Sequence, residues 1–381
     1  MIVVSMLVIV FLLIWLQRLV YRRYWNRGLT MEISFSQREA SEGDTLTLRE
    51  TITNRKLLPL PWLVAKFQLS RNLIFKEHGH SLVTDAYYQS EMFSVGMYQR
   101  ITRRQEFVCT KRGYYLIKSM DLVSSNIFTS EKLATSVPCD AELTVYPKRA
   151  NMEELKVFLK QMYGDIEVHR FTNQDPFFYR SIREYSTGDD FRSINFKATA
   201  KTGDLMVNVN SAAASQVLVI LLNLEEYAAW SSELVFEESI RIAAAVAEDA
   251  ISAGLSVALY SNGCDAVTKT PIAELAGCGS MHLENILEKL ARIDLSQPCE
   301  SMESTMLSFT AAEPYYLLIS ANHEKNIAEA YEILKEKDMT VRWMIPLRES
   351  DTLMIDETEN ITRWEVKPHE HTTNFSEKSA G

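Results

Sequence analysis

The prediction of the fold depends on one stretch, Val217-Leu-Val-Ile-Leu-Leu-Asn-Leu224. Its apolar run is interrupted only by Asn223, which is typical of a parallel strand covered on both faces. Helical and strand-like patterns then alternate along the chain. They predict helices at 234–253, 283–293 and 327–334, and strands at 255–260, 314–320 and 341–346. This alternation predicts a doubly wound, parallel α/β domain over residues 211–347.

The first strand of this domain ends in a candidate binding position. In open α/β sheets, ligands bind beyond the carboxyl ends of the strands, where the strand order reverses. The order of strands and helices resembles the von Willebrand factor A fold, whose metal-binding members carry Asp-x-Ser-x-Ser at this position. Here those positions hold Asn223, Glu225 and Tyr227. Glu225 and Glu226 could still contact a hard cation through oxygen. The preferred interpretation is a degenerate site in a metal-free domain that makes protein contacts.

A connector over residues 148–210 precedes the α/β domain. Asn151 and Glu154 predict a capping pair at the start of a helix that Gly164 would end. The apolar residues at helical spacing are Leu155, Phe158, Leu159 and Met162.

The second half of the connector, Tyr179 to Gly203, concentrates charges and glycines. Residues 187–190 predict a tight turn in which an aspartate caps a helix, with Ile194 on the buried face of that helix. Strands are predicted on either side, at 181–185 and from Leu205. The charged side chains around the turn predict an ion-pair network. They are Arg183, Glu184, Asp189, Asp190 and Arg192.

Residues 30–147 are predicted to form strands. The segments 31–37 and 45–53 alternate apolar and polar residues, and Glu42-Gly-Asp44 between them is a turn signal. Further strand-like runs lie at 62–69, 99–109, 114–123 and 142–147. Several short strands with almost no helical period predict an antiparallel β-sandwich.

The N-terminal segment, residues 1–27, predicts a membrane anchor. Residues 2–20 are mostly apolar with Arg18 as their one charge, and a helix of that length spans roughly 28 Å of bilayer. Basic residues follow the apolar run, whereas a signal peptide carries them first. The positive-inside rule therefore predicts a single pass through the cell membrane with the bulk of the chain in the cytoplasm. The tail at 348–381 is polar and is predicted to be loose.

Composition and motifs exclude several classes of function. The net charge of −10 argues against a nucleic-acid partner. The five cysteines are scattered, which fits neither a disulfide framework nor a zinc site. Signature motifs for phosphate loops, dinucleotide binding, nucleophile elbows and zinc proteases are absent from the sequence. We therefore predict no cofactor and no metal.

The connector also carries a family resemblance. It resembles the signature of the family named domain of unknown function 58 at Arg183, Glu184, Tyr185, Gly188, Asp189, Asp190, Arg192, Ile194 and Lys197. The sequence departs from the family pattern at Asn195-Phe196, where members often carry Asp-Trp. The missing carboxylate weakens the idea that a catalytic acid is universal at this position, at least for this protein. The resemblance implies a membrane-anchored, non-enzymatic partner of MoxR-type AAA+ ATPases.

The predicted architecture is an α+β multi-domain chain: a transmembrane helix, a β-sandwich, and a doubly wound domain similar to von Willebrand factor A. The preferred function is that of a non-enzymatic adaptor for an ATPase. The alternative is an enzyme, or a metal-dependent ligand binder, that uses Glu184, Asp189, Asp190 and Arg192. Carboxylates beside arginines suit acid–base or phosphate chemistry, but a structural network uses the same groups.

Overall fold

A computed structural model describes most of the chain. The described residues are 2–76, 81–83, 87–125, 132–172, 179–186, 194–210, 217–226, 233–297, 299–309, 314–337, 339–351, 355, 358 and 360–367. The chain divides into two compact units. The main part of the first is Met1–Lys148, and that of the second is Arg149–Lys289 with Ile293–Thr372.

The first unit begins with helix α1, Ile2–Tyr24. Among the described residues, α1 contains the one stretch long and apolar enough to cross a membrane, with a mean hydropathy of 2.4 and none of that stretch buried. The end of the helix is attached to the rest of the unit. Tyr21 and Trp25 are buried in the core, and the Tyr21 hydroxyl donates to the carbonyl of Pro59 at 2.8 Å.

Two sheets follow α1 in the first unit. Their strands are β1 Leu29–Phe35, β2 Glu39–Ser41, β3 Thr45–Asn54, β4 Leu60–Leu69, β5 Leu73–Phe75, β6 Ser81–Val83, β7 Tyr87–Val95, β8 Arg100–Cys109, β9 Gly113–Ser125 and β10 Lys132–Tyr146. In the described residues the orders are β1-β3-β8-β5 and β2-β10-β9-β4-β7-β6. Neighbouring strands are antiparallel except for the parallel pair of β2 and β10.

One cluster of buried residues contains side chains from both sheets. Leu48 and Ile52 of β3 and Leu63 of β4 are fully buried in it. The alternation predicted at 31–37 and 45–53 is therefore confirmed, because the apolar side chains of each strand are its inward-facing ones.

An acidic side chain interrupts this core. Glu50 of β3 is 0 % exposed, and neither carboxylate oxygen has a hydrogen-bond partner. Nearby, Glu91 is buried, accepts from the Gln105 side chain at 2.9 Å and pairs with Arg103. Burial raises the pKa of Glu50 to about 7; the charge of Glu91 adds to this rise and that of Arg103 opposes it.

The second unit contains a six-stranded sheet in the described residues. Its strands are β13 Val217–Asn223, β14 Ser256–Cys264, β15 Pro271–Gly277, β16 Tyr315–Ser320, β17 Val341–Arg348 and β18 Ile361–Val366. The spatial order is β15-β14-β13-β16-β17-β18. All pairs are parallel except that of β15 with β14. The strand order reverses between β13 and β16, and the predicted parallel strands are confirmed.

Four helices of this unit, in the described residues, join the strands. They are α4 Glu233–Ser252, α5 Ser280–Ala291, α6 Met302–Ser308 and α7 Lys325–Glu336. The central strands β13 and β16 are almost entirely buried, as a sheet covered on both faces requires. The prediction of a loose tail from residue 348 is wrong over β18. Trp364 of that strand is buried, and its indole N–H donates to Glu238 at 3.3 Å.

The second unit also contains helix α2, Met152–Thr172. Asn151 caps it as predicted, because its side chain accepts from the Glu153 N–H at 3.1 Å and donates to Glu154. The prediction that Gly164 ends the helix is wrong. The helix continues because Ile166, beyond the glycine, extends its buried face, and tertiary packing outweighs the propensity of one glycine.

Glu50 predicts a pH dependence for the first unit. An unfolded chain releases this proton near pH 4.5, whereas the native state holds it to about pH 7. The unfolding free energy therefore falls as pH rises from about 4.5 to about 7, by about 3 kcal/mol in total. The measurement is urea unfolding of the detergent-solubilised chain at pH 5 and pH 8, followed by pulsed hydrogen exchange of β3 peptides.

Glu50→Gln should abolish most of this pH dependence, because it holds a neutral side chain at the same position. Glu32→Gln on β1, where the side chain is exposed, serves as the matched control and should retain it. If Glu50→Gln kept the full dependence, Glu50 would not be its source.

Candidate functional site

The signature segment forms a strand pair with a short helix. Strands β11, Tyr179–Glu184, and β12, Met206–Asn210, are antiparallel. They confirm the strands predicted at 181–185 and after Leu205. Helix α3, Phe196–Thr202, lies between them in sequence and ends at Gly203 with a φ of 86°. This positive φ confirms the glycine as the helix terminator.

The helix begins later than the sequence predicted. Asn195 is its N-cap, and its side-chain oxygen accepts from the Ala198 N–H at 2.9 Å. Ile194 instead forms an isolated antiparallel bridge with Val207. The prediction that Ile194 lies on a helical face is therefore wrong, because the cap fixes the first helical residue at Phe196.

The predicted charge network is only partly described. Arg183 and Glu184 are exposed, and the Arg183 guanidinium donates to the Glu184 backbone carbonyl at 3.0 Å. Tyr185 is half-buried, and its N–H donates to the Leu205 carbonyl at 2.8 Å. Lys197 is exposed. Gly188, Asp189, Asp190 and Arg192 lie outside the described residues, so the network remains a prediction.

Sequence analysis did not predict three exposed apolar side chains on this segment. Phe196 is 77 % exposed, and Ile182 and Leu205 are also exposed. None of the residues of α3 is buried. We call Phe196, Ile182 and Leu205 the signature patch. The available signal was the aromatic residue directly after the cap, at the position where the family often carries Trp.

The second candidate position is the carboxyl edge of the sheet, where β13, β14 and β16 end. Asn223 donates to the Ser320 hydroxyl at 3.0 Å, and its oxygen accepts from the Glu225 N–H at 3.0 Å and from Asn262 at 2.8 Å. Asn262 accepts in turn from the Leu224 N–H at 2.8 Å. Asn223, Asn262 and Ser320 are buried. We call these three side chains the amide network.

The network continues along the turn after β16. The Ser320 hydroxyl donates to the Asn322 carbonyl at 2.7 Å, and the Asn322 side chain accepts from the Glu324 N–H at 2.9 Å. The side-chain oxygen and nitrogen of both Asn223 and Asn262 thus form hydrogen bonds. The turn after β16 is joined to the same network through Ser320. This arrangement can stabilise the sheet edge without any ion.

Glu225 lies beside the amide network. Burial raises the pKa of Glu225, and the charges of the nearby Glu324 and Glu303 add to this rise. A hydrogen bond from the Met302 backbone N–H opposes the rise but does not cancel it. The second carboxylate oxygen of Glu225 is buried without a partner. Tyr227 lies outside the described residues. Across the part of the chain that is described, no three His, Cys, Asp or Glu side chains are grouped so as to hold a metal ion.

Comparison with known proteins supports the family resemblance over part of the chain. Residues 181–360 match the model of a family described as "Protein of unknown function DUF58". This match supports the resemblance drawn from the signature. No curated protein matches the chain.

Similarity to solved structures is weak. The alkylpurine DNA glycosylase AlkC of Pseudomonas fluorescens is 16 % identical over 31 % of this chain, with a TM-score of 0.20, and the match spans 30 % of the glycosylase. A non-cellulosomal cohesin from Archaeoglobus fulgidus is 12 % identical over 34 % of this chain and 97 % of its own, with a TM-score of 0.21. The CARDB domain of the PF1109 protein from Pyrococcus furiosus is 8 % identical over 31 % and 93 %, with a TM-score of 0.20. Matches at these TM-scores carry no inference about the function of this chain.

The cap at Asn195 predicts how this position tolerates substitution. Asn195→Ala removes the acceptor for the Ala198 N–H and should destabilise α3 by about 1 kcal/mol. Asn195→Asp keeps an acceptor and adds a favourable charge at a helix N-terminus, so it should not destabilise the helix. Hydrogen exchange of the Thr199 and Gly203 amides measures both effects, with α4 amides as the internal reference. Equal loss of protection in the two variants would rule out the capping role.

The amide network predicts that a carboxylate cannot replace Asn223. Asn223→Asp removes the donor to Ser320 and buries a charge, so it should lower the free energy of unfolding by about 1–3 kcal/mol. Asn285→Asp adds the same charge at an exposed position of α5 and should have little effect. Thermal unfolding with and without Mg²⁺ measures the difference. If Mg²⁺ restored the stability of the Asn223→Asp variant, the edge would be a cation site after all.

Proposed function

We propose that this chain is a non-enzymatic, membrane-anchored interaction protein whose partner is a MoxR-type AAA+ ATPase. The signature patch is the observation that carries the proposal. Exposed aromatic and apolar side chains that the fold itself does not bury are typical of protein-binding surfaces. Phe196 also lies on an element that buries none of its own residues, so packing of α3 does not require it. The identity of the partner comes from the family resemblance alone.

The N-terminal helix supports the membrane-anchored part of the proposal. The stretch Val3–Tyr24 is long and apolar enough to cross a bilayer, and the rest of the chain leaves its most apolar part uncovered. With the basic end of the helix in the cytoplasm, both units would face the compartment that supplies ATP to an ATPase. The proposed location is the cell membrane, with a single pass.

The amide network supports an interaction role for the second unit. A strand order that reverses beside β13, with one antiparallel edge strand, is consistent with a domain similar to von Willebrand factor A. In that interpretation the amide network occupies the position of the metal site at the carboxyl edge of the sheet. We therefore infer that this edge serves in protein contact. The two sheets of the first unit support the sandwich interpretation in the same way, because one buried cluster joins them.

The enzyme alternative retains its residues but gains no specific support. It needs Glu184, Asp189, Asp190 and Arg192 to act together, and of these only Glu184 is among the described residues. Glu184 is exposed and lies on a strand whose partner, β12, brings no carboxylate beside it in the described residues. We therefore retain the structural interpretation of the cluster.

The signature patch can be tested by direct binding. The full-length chain, reconstituted in lipid nanodiscs, is immobilised, and the purified MoxR-type ATPase of the same organism is passed over it with ATP or ADP. Phe196→Ala should weaken binding by at least about tenfold, because a hot-spot aromatic is lost. Leu275→Ala is the matched control, since Leu275 on β15 is 75 % exposed and lies outside the signature segment; it should bind as the unmodified chain does.

The possible outcomes test the proposed partner and the proposed binding surface separately. Absence of binding by the unmodified chain would contradict the proposed partner. Equal binding by the two variants would show that the ATPase binds elsewhere, and the signature patch would lose its role.

A further inference from the structure

The turn between β3 and β4 is attached to the end of α1. The Arg55 N–H donates to the carbonyl of Gly28, which follows the helix, at 2.8 Å. The bond from the Tyr21 hydroxyl to the Pro59 carbonyl joins the other end of the same turn to the helix. The position of this turn along the axis of α1 is therefore fixed by the fold.

This turn lies at the level where the proposed membrane span ends. Residues 55–58 line one pocket together with Val20 and Tyr24 of α1. The apolar run ends at Val20, and Tyr24 lies about 6 Å further along the helix axis. The headgroup layer beside the hydrocarbon core of a bilayer is roughly 5–8 Å thick. With α1 inserted, the turn therefore lies at the depth of the headgroups.

The turn between β7 and β8 is held against the first turn. The Tyr98 N–H donates to the Lys56 carbonyl at 3.2 Å. Asn54 donates twice to the second turn, from its side chain to the Gly96 carbonyl at 2.8 Å and from its backbone to the Gln99 carbonyl at 2.9 Å. Tyr98 has a φ of 47°, which a bulky residue adopts only at an energetic cost. The surrounding bonds thus hold the second turn in one conformation.

The two turns expose apolar side chains to solvent. Leu57 is 69 % exposed, Met97 is 59 % exposed and Tyr98 is 67 % exposed. We call these three side chains the apolar tip. Neighbouring apolar side chains that the fold leaves uncovered mark contact with a protein or a membrane. Tyrosine is also enriched at membrane–water interfaces, where its ring lies at the level of the headgroups.

The segments that form and flank the apolar tip are basic. Residues 20–28, 54–59 and 96–100 contain no Asp or Glu, although the whole chain has a net charge of −10. Their exposed basic residues are Arg22, Arg23, Arg27, Arg55 and Arg100. The cytoplasmic leaflet carries a negative surface potential that attracts such residues. Charge and apolar character at this end of the first unit therefore both complement a bilayer surface.

We propose that the apolar tip inserts into the headgroup layer of the cytoplasmic leaflet. The inference rests on the proposed membrane insertion of α1. A protein partner would have to enter the headgroup layer to reach the tip, whereas lipid is already there. The first unit is then held on the membrane by two contacts, α1 and the tip, and the second contact restricts its rotation about the anchor.

The test is photo-crosslinking of the full-length chain in liposomes of phosphatidylcholine with a fraction of phosphatidylglycerol. Tyr98→p-benzoylphenylalanine places a crosslinker on the apolar tip and keeps an aromatic ring. Thr45→p-benzoylphenylalanine is the matched control, because Thr45 is exposed and lies at the other end of β3, roughly 30 Å along the strand. Leu12→p-benzoylphenylalanine, in the middle of α1, reports insertion of the anchor. Intact-mass spectrometry counts the lipid adducts, and position 98 should give at least about tenfold more than position 45.

A charge substitution tests the insertion itself. Leu57→Glu, combined with the crosslinker at position 98, should lower the lipid adducts by at least about fivefold, because an anionic leaflet repels the added carboxylate. Thr45→Glu adds the same charge at the far end of β3 and should change them by less than about twofold. Both positions are exposed, so both variants should melt at the temperature of the unmodified chain. A large loss of stability in Leu57→Glu would assign Leu57 to the core of the unit and overturn the apolar tip.

The crosslinking outcomes separate the anchor from the tip. If position 12 gave no lipid adducts, both the anchor and this proposal would be wrong. If position 12 gave them but position 98 gave no more than position 45, the tip proposal would be wrong and the anchor would stand. If position 98 crosslinked mainly to a second copy of the chain, the tip would be a self-association surface and not a membrane contact.

Discussion

The stability of the second unit depends on hydrogen bonds to the polar groups at the carboxyl ends of its central strands. Strands β13 and β16 are buried on both faces, so the polar atoms at their carboxyl ends have little access to water. Asn223, Asn262 and Ser320 meet this need by bonding to one another and to the backbone N–H groups of Leu224 and Glu225. The turn after β16 joins the same set of bonds. A bound ion could serve the same purpose, but three neutral side chains suffice.

Much of the fold could be predicted from sequence where burial imposes a simple pattern. The apolar run at 217–224 was a reliable strand signal because β13 is covered on both faces. The predictions failed where packing outweighed a local signal. Helix α2 continues through Gly164 because Ile166 extends its buried face. Strand β18 was not predicted because it is a short edge strand of six residues in a polar segment. It is stabilised by contacts distant in sequence, such as the hydrogen bond from Trp364 to Glu238.

The candidate sites were less predictable than the fold. The signature identified its segment, but a single sequence does not show which apolar side chains remain exposed, and Phe196 resembles any other core residue there. Lys56, in the turn between β3 and β4, illustrates the same limit, because nothing in the local sequence indicates that its Nζ atom is buried. Exposure and burial of single side chains are properties of the tertiary structure.

Asn195 and Asn223 share one structural feature. At each position the resemblances would lead one to expect aspartate, and at each the asparagine oxygen accepts a backbone N–H two or three residues later in the chain. Asparagine and aspartate are equivalent for such a bond, but only aspartate supplies a charge for catalysis or for a metal. In this chain each asparagine supplies the hydrogen bond that shapes its turn and brings no charge. That combination favours a protein that presents surfaces over one that performs chemistry.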